Sequence, residues 1–112
     1  MTPRQSVQTL GFFWLAATGL LLSTEPRAWD YQDFAAPLFG VLLYLVGRNW
    51  HRCTGFMEPW RLIVGIGSLS LTHAIVFLGT LRDAVSIVTL TSLILGGAIS
   101  LGIGLRLRAE VP

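Results

Sequence analysis

The sequence predicts an all-α integral membrane protein, four transmembrane helices in one antiparallel bundle with the N and C termini cytoplasmic. Three observations predict it. Of the 112 residues, 53% are hydrophobic and only 12% charged, against about a quarter charged in an ordinary soluble domain. The apolar residues fall into four blocks, each near the roughly 17–25 residues that cross a hydrocarbon core about 30 Å thick. Inside hydrocarbon every backbone N–H and C=O needs a partner within its own segment, so such blocks are helices and not strands. The third observation is that arginines collect on alternate connections, as the positive-inside rule requires. The whole chain, 1–112, reads as a single domain.

The first block, 7–23 (VQTLGFFWLAATGLLLS), follows Arg4. A cleaved signal peptide has the same layout of charge and then apolar residues. No A-x-A-like small-residue pattern follows, so the segment is expected to stay in the membrane. The second block, 34–50, is the shortest, and its tail GRNW is placed among the headgroups. The third and fourth, 60–80 and 84–105, carry no acidic or basic side chain in their interiors.

There is no lysine, so orientation rests on arginine alone. Arg4, Arg48, Arg52, Arg61, Arg106 and Arg108 lie on one side and only Arg27 and Arg82 on the other. This puts both termini and the middle loop in the cytoplasm. The net charge of +2 is then a topology signal; the basic residues ring one rim and form no basic tail or helix of the kind that binds nucleic acid. Trp50 and Trp60 fall at the cytoplasmic boundary and Trp29 and Tyr31 at the outer one, where amphipathic rings anchor helices. Arg48, Arg52 and Arg61 are placed to meet anionic headgroups. Cys53, the only cysteine, is expected as a reduced thiol in the cytoplasmic loop.

Water does not drive helices together inside lipid, so small residues that let backbones approach mark the contacts. Ser92, Gly96, Ser100 and Gly104 recur every fourth residue, with Gly97 beside them; Ala36 and Gly40 share that spacing, as do Ser68 and Thr72, with Gly65 and Gly79 on the same side. These are read as packing seams within the bundle; the alternative is that one of them, unused inside, serves a homodimer. A shift of 57 residues overlays the two helical hairpins and matches Arg4 with Arg61, Val7 with Val64, Ala17 with Ala74, Leu21 with Leu78, Leu38 with Leu95, Gly40 with Gly97 and Gly47 with Gly104. In a chain so rich in leucine and glycine, that many matches do not establish a repeat.

His73, 13 residues from Trp60, sits about 20 Å along its helix and is the one titratable group well inside the membrane. Such residues face the bundle interior and are a functional hypothesis by default. With Ser70 and Thr80 it is read as a polar stripe and candidate ligand site. The first reading of His73 itself is a neutral histidine whose ring N–H bonds a carbonyl or hydroxyl of a neighbouring helix and holds the bundle in register; the alternatives are a ligand or quinone contact, a haem ligand and a proton relay. A bis-histidine haem within one chain is disfavoured, because His51 lies at another depth. His51 and Cys53 fall short of a zinc set, and Glu25, Asp30 and Asp33 read as solvated loop acids rather than a cation site. No catalytic nucleophile, phosphate-binding loop or paired buried carboxylate is present, so a lone enzyme is not expected.

The chain differs from the small multidrug resistance transporters, which carry an acidic residue in the first helix; LGFFWLAATGLLLS has none. Arg48 closing the second helix, SLTHA at 70–74 and LRD at 81–83 resemble small four-helix bacterial inner-membrane proteins grouped with the DoxX-like family. That resemblance implies a multi-pass inner-membrane location, a topology without an assigned activity, and an association with redox partners. The leading expectation is a non-catalytic accessory or scaffold subunit, without cofactor or metal, that packs with a larger membrane complex, which could itself be an enzyme, or with itself. The alternatives are a redox component contacting haem or quinone through His73, and a small-solute transporter.

Overall fold

The computed structural model describes residues 2–24, 31–52, 58–80 and 87–110. Expectations for Glu25, Arg27, Trp29, Asp30, Cys53, Arg82 and Asp83, and for the side chains of Tyr31 and Thr80, lie outside the described residues. Helix α1 runs Pro3–Ser23, four residues earlier than its apolar block. The reason is a capping box: Thr2 Oγ1 accepts from Gln5 N at 3.2 Å, Gln5 Oε1 accepts from Thr2 N at 3.0 Å, and Pro3 opens the first turn. A 3-10 turn, Tyr31–Phe34, leads into α2, Ala35–Arg48. Helix α3 spans Pro59–Thr80 and α4 spans Ile87–Glu110. Helix α4 continues past residue 105 because Arg106 and Arg108 are good helix formers and need no apolar surroundings.

The described residues contain no strand. Three segments, Pro3–Ser23, Pro59–Gly79 and Ile87–Ala109, are long and apolar enough to cross a membrane; α2, with 14 residues, is shorter. The bundle is 47 Å long, close to the about 40–45 Å of a bilayer with its headgroups. Large apolar side chains such as Phe13, Leu38, Ile75 and Leu95 point outward from all four helices. In water this would be an aggregation surface; in hydrocarbon it is a neutral one.

The helices form two tight antiparallel hairpins, α1 with α2 and α3 with α4, joined by lighter contacts. Each hairpin closes on the same device. A Cβ on Gly11 would run into the backbone of Tyr44 and lie 2.7 Å from Gly40 O; one on Gly40 would lie 2.7 Å from Leu15 N and 3.0 Å from Gly11 O. In the second hairpin a Cβ on Gly67 would lie 2.8 Å from both Gly97 O and Leu101 N, and one on Gly97 would lie 3.0 Å from Gly67 O. One step further along, Gly47 meets Gln8 and Gly104 meets Val64.

These contacts set the register in which the two hairpins correspond, whether or not they are a repeat. Helix α1 maps onto α3 with a shift of 56 (Gly11 to Gly67, Gln8 to Val64), and α2 onto α4 with 57 (Gly40 to Gly97, Gly47 to Gly104). The single shift of 57 therefore misaligned Arg4, Val7, Ala17 and Leu21 by one residue and aligned Leu38, Gly40 and Gly47. Burial follows the corrected pairing: Val7 and Ile63, Ala36 and Leu93, and Leu43 and Ser100 are all fully buried. One additional residue between Gly67 and Gly97, against Gly11 and Gly40, is enough to hide the correspondence from a fixed-shift comparison.

At one end the hairpins share a basic rim. Arg4 Nε donates to Gly47 O at 3.0 Å, tying the start of α1 to the end of α2. The guanidinium groups of Arg61 and Arg108 lie 5.4 and 5.5 Å from the Trp60 ring centroid, tying α3 to α4. Trp60 Nε1 donates to the Glu58 carboxylate, while Arg48 and Arg52 are exposed and Trp50 is half-buried.

Candidate functional site

His73 is half-buried on α3. Its Nδ1 lies 2.8 Å from the carbonyl of Leu69, one turn back on the same helix. An uncharged ring in that bond carries its proton on Nδ1 and keeps Nε2 as the lone-pair nitrogen. The ring stands edge-on to Phe39 of α2 (5.3 Å, 72°) and to Phe77 of its own helix (5.9 Å, 84°). Phe39 in turn stacks on Trp14 of α1 at 6.2 Å. Four rings thus cross the bundle in a row, each pair within the about 4.5–7 Å over which aromatic contacts are favourable.

The polar stripe divides. Ser70, fully buried, turns towards α4 and donates to Leu93 O at 2.8 Å, whereas His73 turns towards α2. Ser70 is therefore a helix-packing residue and shares no pocket with His73. The row on α4 also serves more than one neighbour. Gly96 receives the Trp14 ring, which a Cβ there would meet at 2.5 Å, and Gly104 packs on Val64 and Trp60 O of α3. A row spaced by four turns about 40° per step around a helix of 3.6 residues per turn, which carries it from the α1 side to the α3 side. Ser92 bonds Val88 O of its own helix at 2.5 Å, and Ser100 is buried with no hydrogen-bond partner.

Ser68 and Thr72 are exposed, and Thr72 Oγ1 donates to Ser68 O at 2.8 Å. Gly65 and Gly79 also have open space where a Cβ would stand. As a packing seam within this chain, Ser68 and Thr72 were misplaced: α3 meets α4 through Gly67, Ser70 and Leu71, on nearly the opposite side of the helix. Both faces carry small residues at similar spacing, and nothing local ranks them.

Asp33 was read as a solvated loop acid and is instead buried, accepting from Thr89 Oγ1 of α4 at 3.0 Å. It lies in the 3-10 turn just before α2, where the exposed N–H groups of a helix start favour a carboxylate. Its position immediately ahead of the apolar run was the available signal. Among the described residues no three His, Cys, Asp or Glu side chains gather to hold a metal.

The two buried serines give a direct comparison. Ser70→Ala loses its bond to α4, and interhelical hydrogen bonds in membranes contribute about 0.6 kcal/mol on average and up to about 1.7. Ser100→Ala removes a buried hydroxyl that has no partner, a change expected to be neutral or stabilising by up to about 1 kcal/mol. Denaturation of the two variants in detergent is expected to rank them in that order.

No protein-family model, no curated protein and no solved structure matches the chain.

Proposed function

We propose that the chain is a small non-catalytic subunit of a bacterial inner membrane, with four crossing helices and both ends cytoplasmic, that packs with a larger membrane complex or with a second copy of itself. The carrying observation is the outward face of α3. Gly65, Ser68, Thr72 and Gly79 form a row of small residues, interrupted by Ile75, that none of the described helices covers, and in lipid such a row lets a foreign helix approach closely. The length of α2 is compatible with a fourth crossing. Its 14 residues rise about 21 Å, and the 3-10 turn before it adds about 8 Å, together close to a core of about 30 Å. The shared basic rim supports the cytoplasmic placement of both ends, with Arg48, Arg52 and Arg61 towards anionic headgroups.

Cysteine crosslinking tests this. In a Cys53→Ser background, Ser68→Cys in native membranes is expected to give a dimer or a defined larger adduct, and Leu38→Cys, exposed on α2, much less. Ser68→Leu is expected to abolish that association while leaving the fold intact. A chain that stays monomeric in mild detergent and copurifies with nothing would end this reading.

A second reading, a redox subunit, is favoured by one observation: the Leu69 bond occupies Nδ1 of His73 and leaves Nε2 as the nitrogen a haem or quinone would use. A visible spectrum of enriched native membranes tests haem, and quinone titration of His73→Leu tests the other form.

A further inference from the structure

On the side of the bundle away from His73, α1 and α4 enclose an open-sided groove of about 450 Å³. It runs from Leu21 to Leu10 along α1 and from Ile87 to Ile99 along α4, a length of about 17 Å at 1.5 Å per residue. It begins where α1 ends and α4 starts, and it reaches inward about as far as one leaflet of hydrocarbon, half of about 30 Å.

The matching geometry of the two hairpins explains why the space is there. Ala17 stands where His73 stands in the other hairpin. Between α2 and α3 the His73 ring fills the junction against Phe39; between α4 and α1, an alanine leaves it vacant. The walls offer little to a polar ligand. Of the three hydroxyls on the walls, Thr18 Oγ1 donates to Trp14 O at 2.6 Å and Ser92 Oγ to Val88 O, within their own helices, which leaves Thr91 as the one exposed polar group there. Trp14 Nε1 is itself buried and not presented to the groove.

A second protein helix is poorly suited to this face. Phe13 (69% exposed), Leu21, Ile87 (77%) and Leu95 project beside the groove and hold a neighbouring backbone away, where close approach is what helix association in lipid requires. A linear chain passes between them.

From this geometry we infer that the α1–α4 groove binds one acyl chain of a membrane phospholipid, its headgroup at the end where α1 finishes and α4 begins. The site is separate from the α3 seam, and neither depends on the other. Contact along the leaflet's depth supplies dispersion attraction on three sides of the chain in place of the looser contacts it has among other lipids.

The test uses the full chain. Purified in mild detergent and weighed intact by mass spectrometry, it is expected to retain about one phospholipid. Ala17→Phe fills the groove with a ring, as His73 does at the corresponding position, and is expected to lower that retention at least five-fold. Ala16→Phe, on the exposed neighbouring position, is expected to leave it unchanged. In vesicles of phosphatidylcholine of which a rising fraction is brominated at mid-chain, all chains compete equally for one site, so the quenching that is lost in Trp14→Phe is expected to rise in direct proportion to the brominated fraction. That second measurement needs no groove-filling variant and decides the matter if Ala17→Phe fails to fold. The inference is overturned if that quenching follows the steeper curve of several interchangeable lipid neighbours. It is also overturned if retention is equal in wild type and a folded Ala17→Phe, if the retained species is a prenyl lipid, or if Ala17→Phe dissociates a dimer that carries no lipid.

Discussion

Gly11→Leu separates α1 from α2 and costs more than about 3 kcal/mol, the upper end of ordinary overpacking. The obstruction is backbone on both sides: the new Cβ would meet Tyr44 N and lie 2.7 Å from Gly40 O and 2.8 Å from Tyr44 Cα. A side chain can rotate away, whereas a helix backbone moves only as a rigid rod, and the close-packed interior has no slack for it. Gly67→Leu is expected to be damaging for the same reason, its Cβ 2.8 Å from Gly97 O and Leu101 N, and comparable loss in the two variants would support the equivalence of the hairpins. Gly19→Leu and Gly102→Leu enter open space and are expected to be neutral, or mildly stabilising by about 0.5–1 kcal/mol through helix propensity. Thermal or detergent denaturation of the four variants checks this. A Gly11→Leu protein as stable as Gly19→Leu would refute the paired-glycine contact.

Phe39→Ala is the second large effect, expected at about 2–4 kcal/mol. Phe39 is 4% exposed and carries ring contacts to both Trp14 and His73, so truncation opens a cavity where three helices meet. Phe→Ala in a soluble core costs about 3–5 kcal/mol. Part of that is transfer from water, which matters less when the unfolded helices already sit in lipid; lost dispersion and two aromatic pairs of about 0.5–1.5 kcal/mol each remain. Phe39→Leu, which refills most of the volume, is expected to recover to within about 1.5 kcal/mol of wild type. Loss of His73 ring order in Phe39→Ala, seen as averaging of its side-chain NMR signals, would mark the ring row as what holds the histidine.

Much of this fold was legible because the membrane enforces it. Four apolar blocks of that length point to helices, and three of the helices in the structure are long and apolar enough to cross. The glycines at 40, 96, 97 and 104 announced close contact. The element ends were less legible, since TPRQ ahead of the first block is polar and fell outside it, whereas Thr2 caps a first turn that opens at Pro3. The candidate site was less legible still. Ser70 and His73 are three residues apart on one helix, and only the positions of α2 and α4 decide that they face different neighbours. Asp33 looked like any loop acid until Thr89, 56 positions away, was seen to bond it.

Taken alone, the sequence determined the helical class, the apolar character of the segments and the presence of small-residue rows, because these follow from hydrophobicity and spacing within a segment. Only the tertiary structure decided which row is used, where the one-residue offset between the hairpins lies, and that the space filled by His73 on one side is left as a groove on the other. Those are relations between segments. In lipid the apolar pattern does not rank one helix face above another, so the choice is made by which backbones can actually touch.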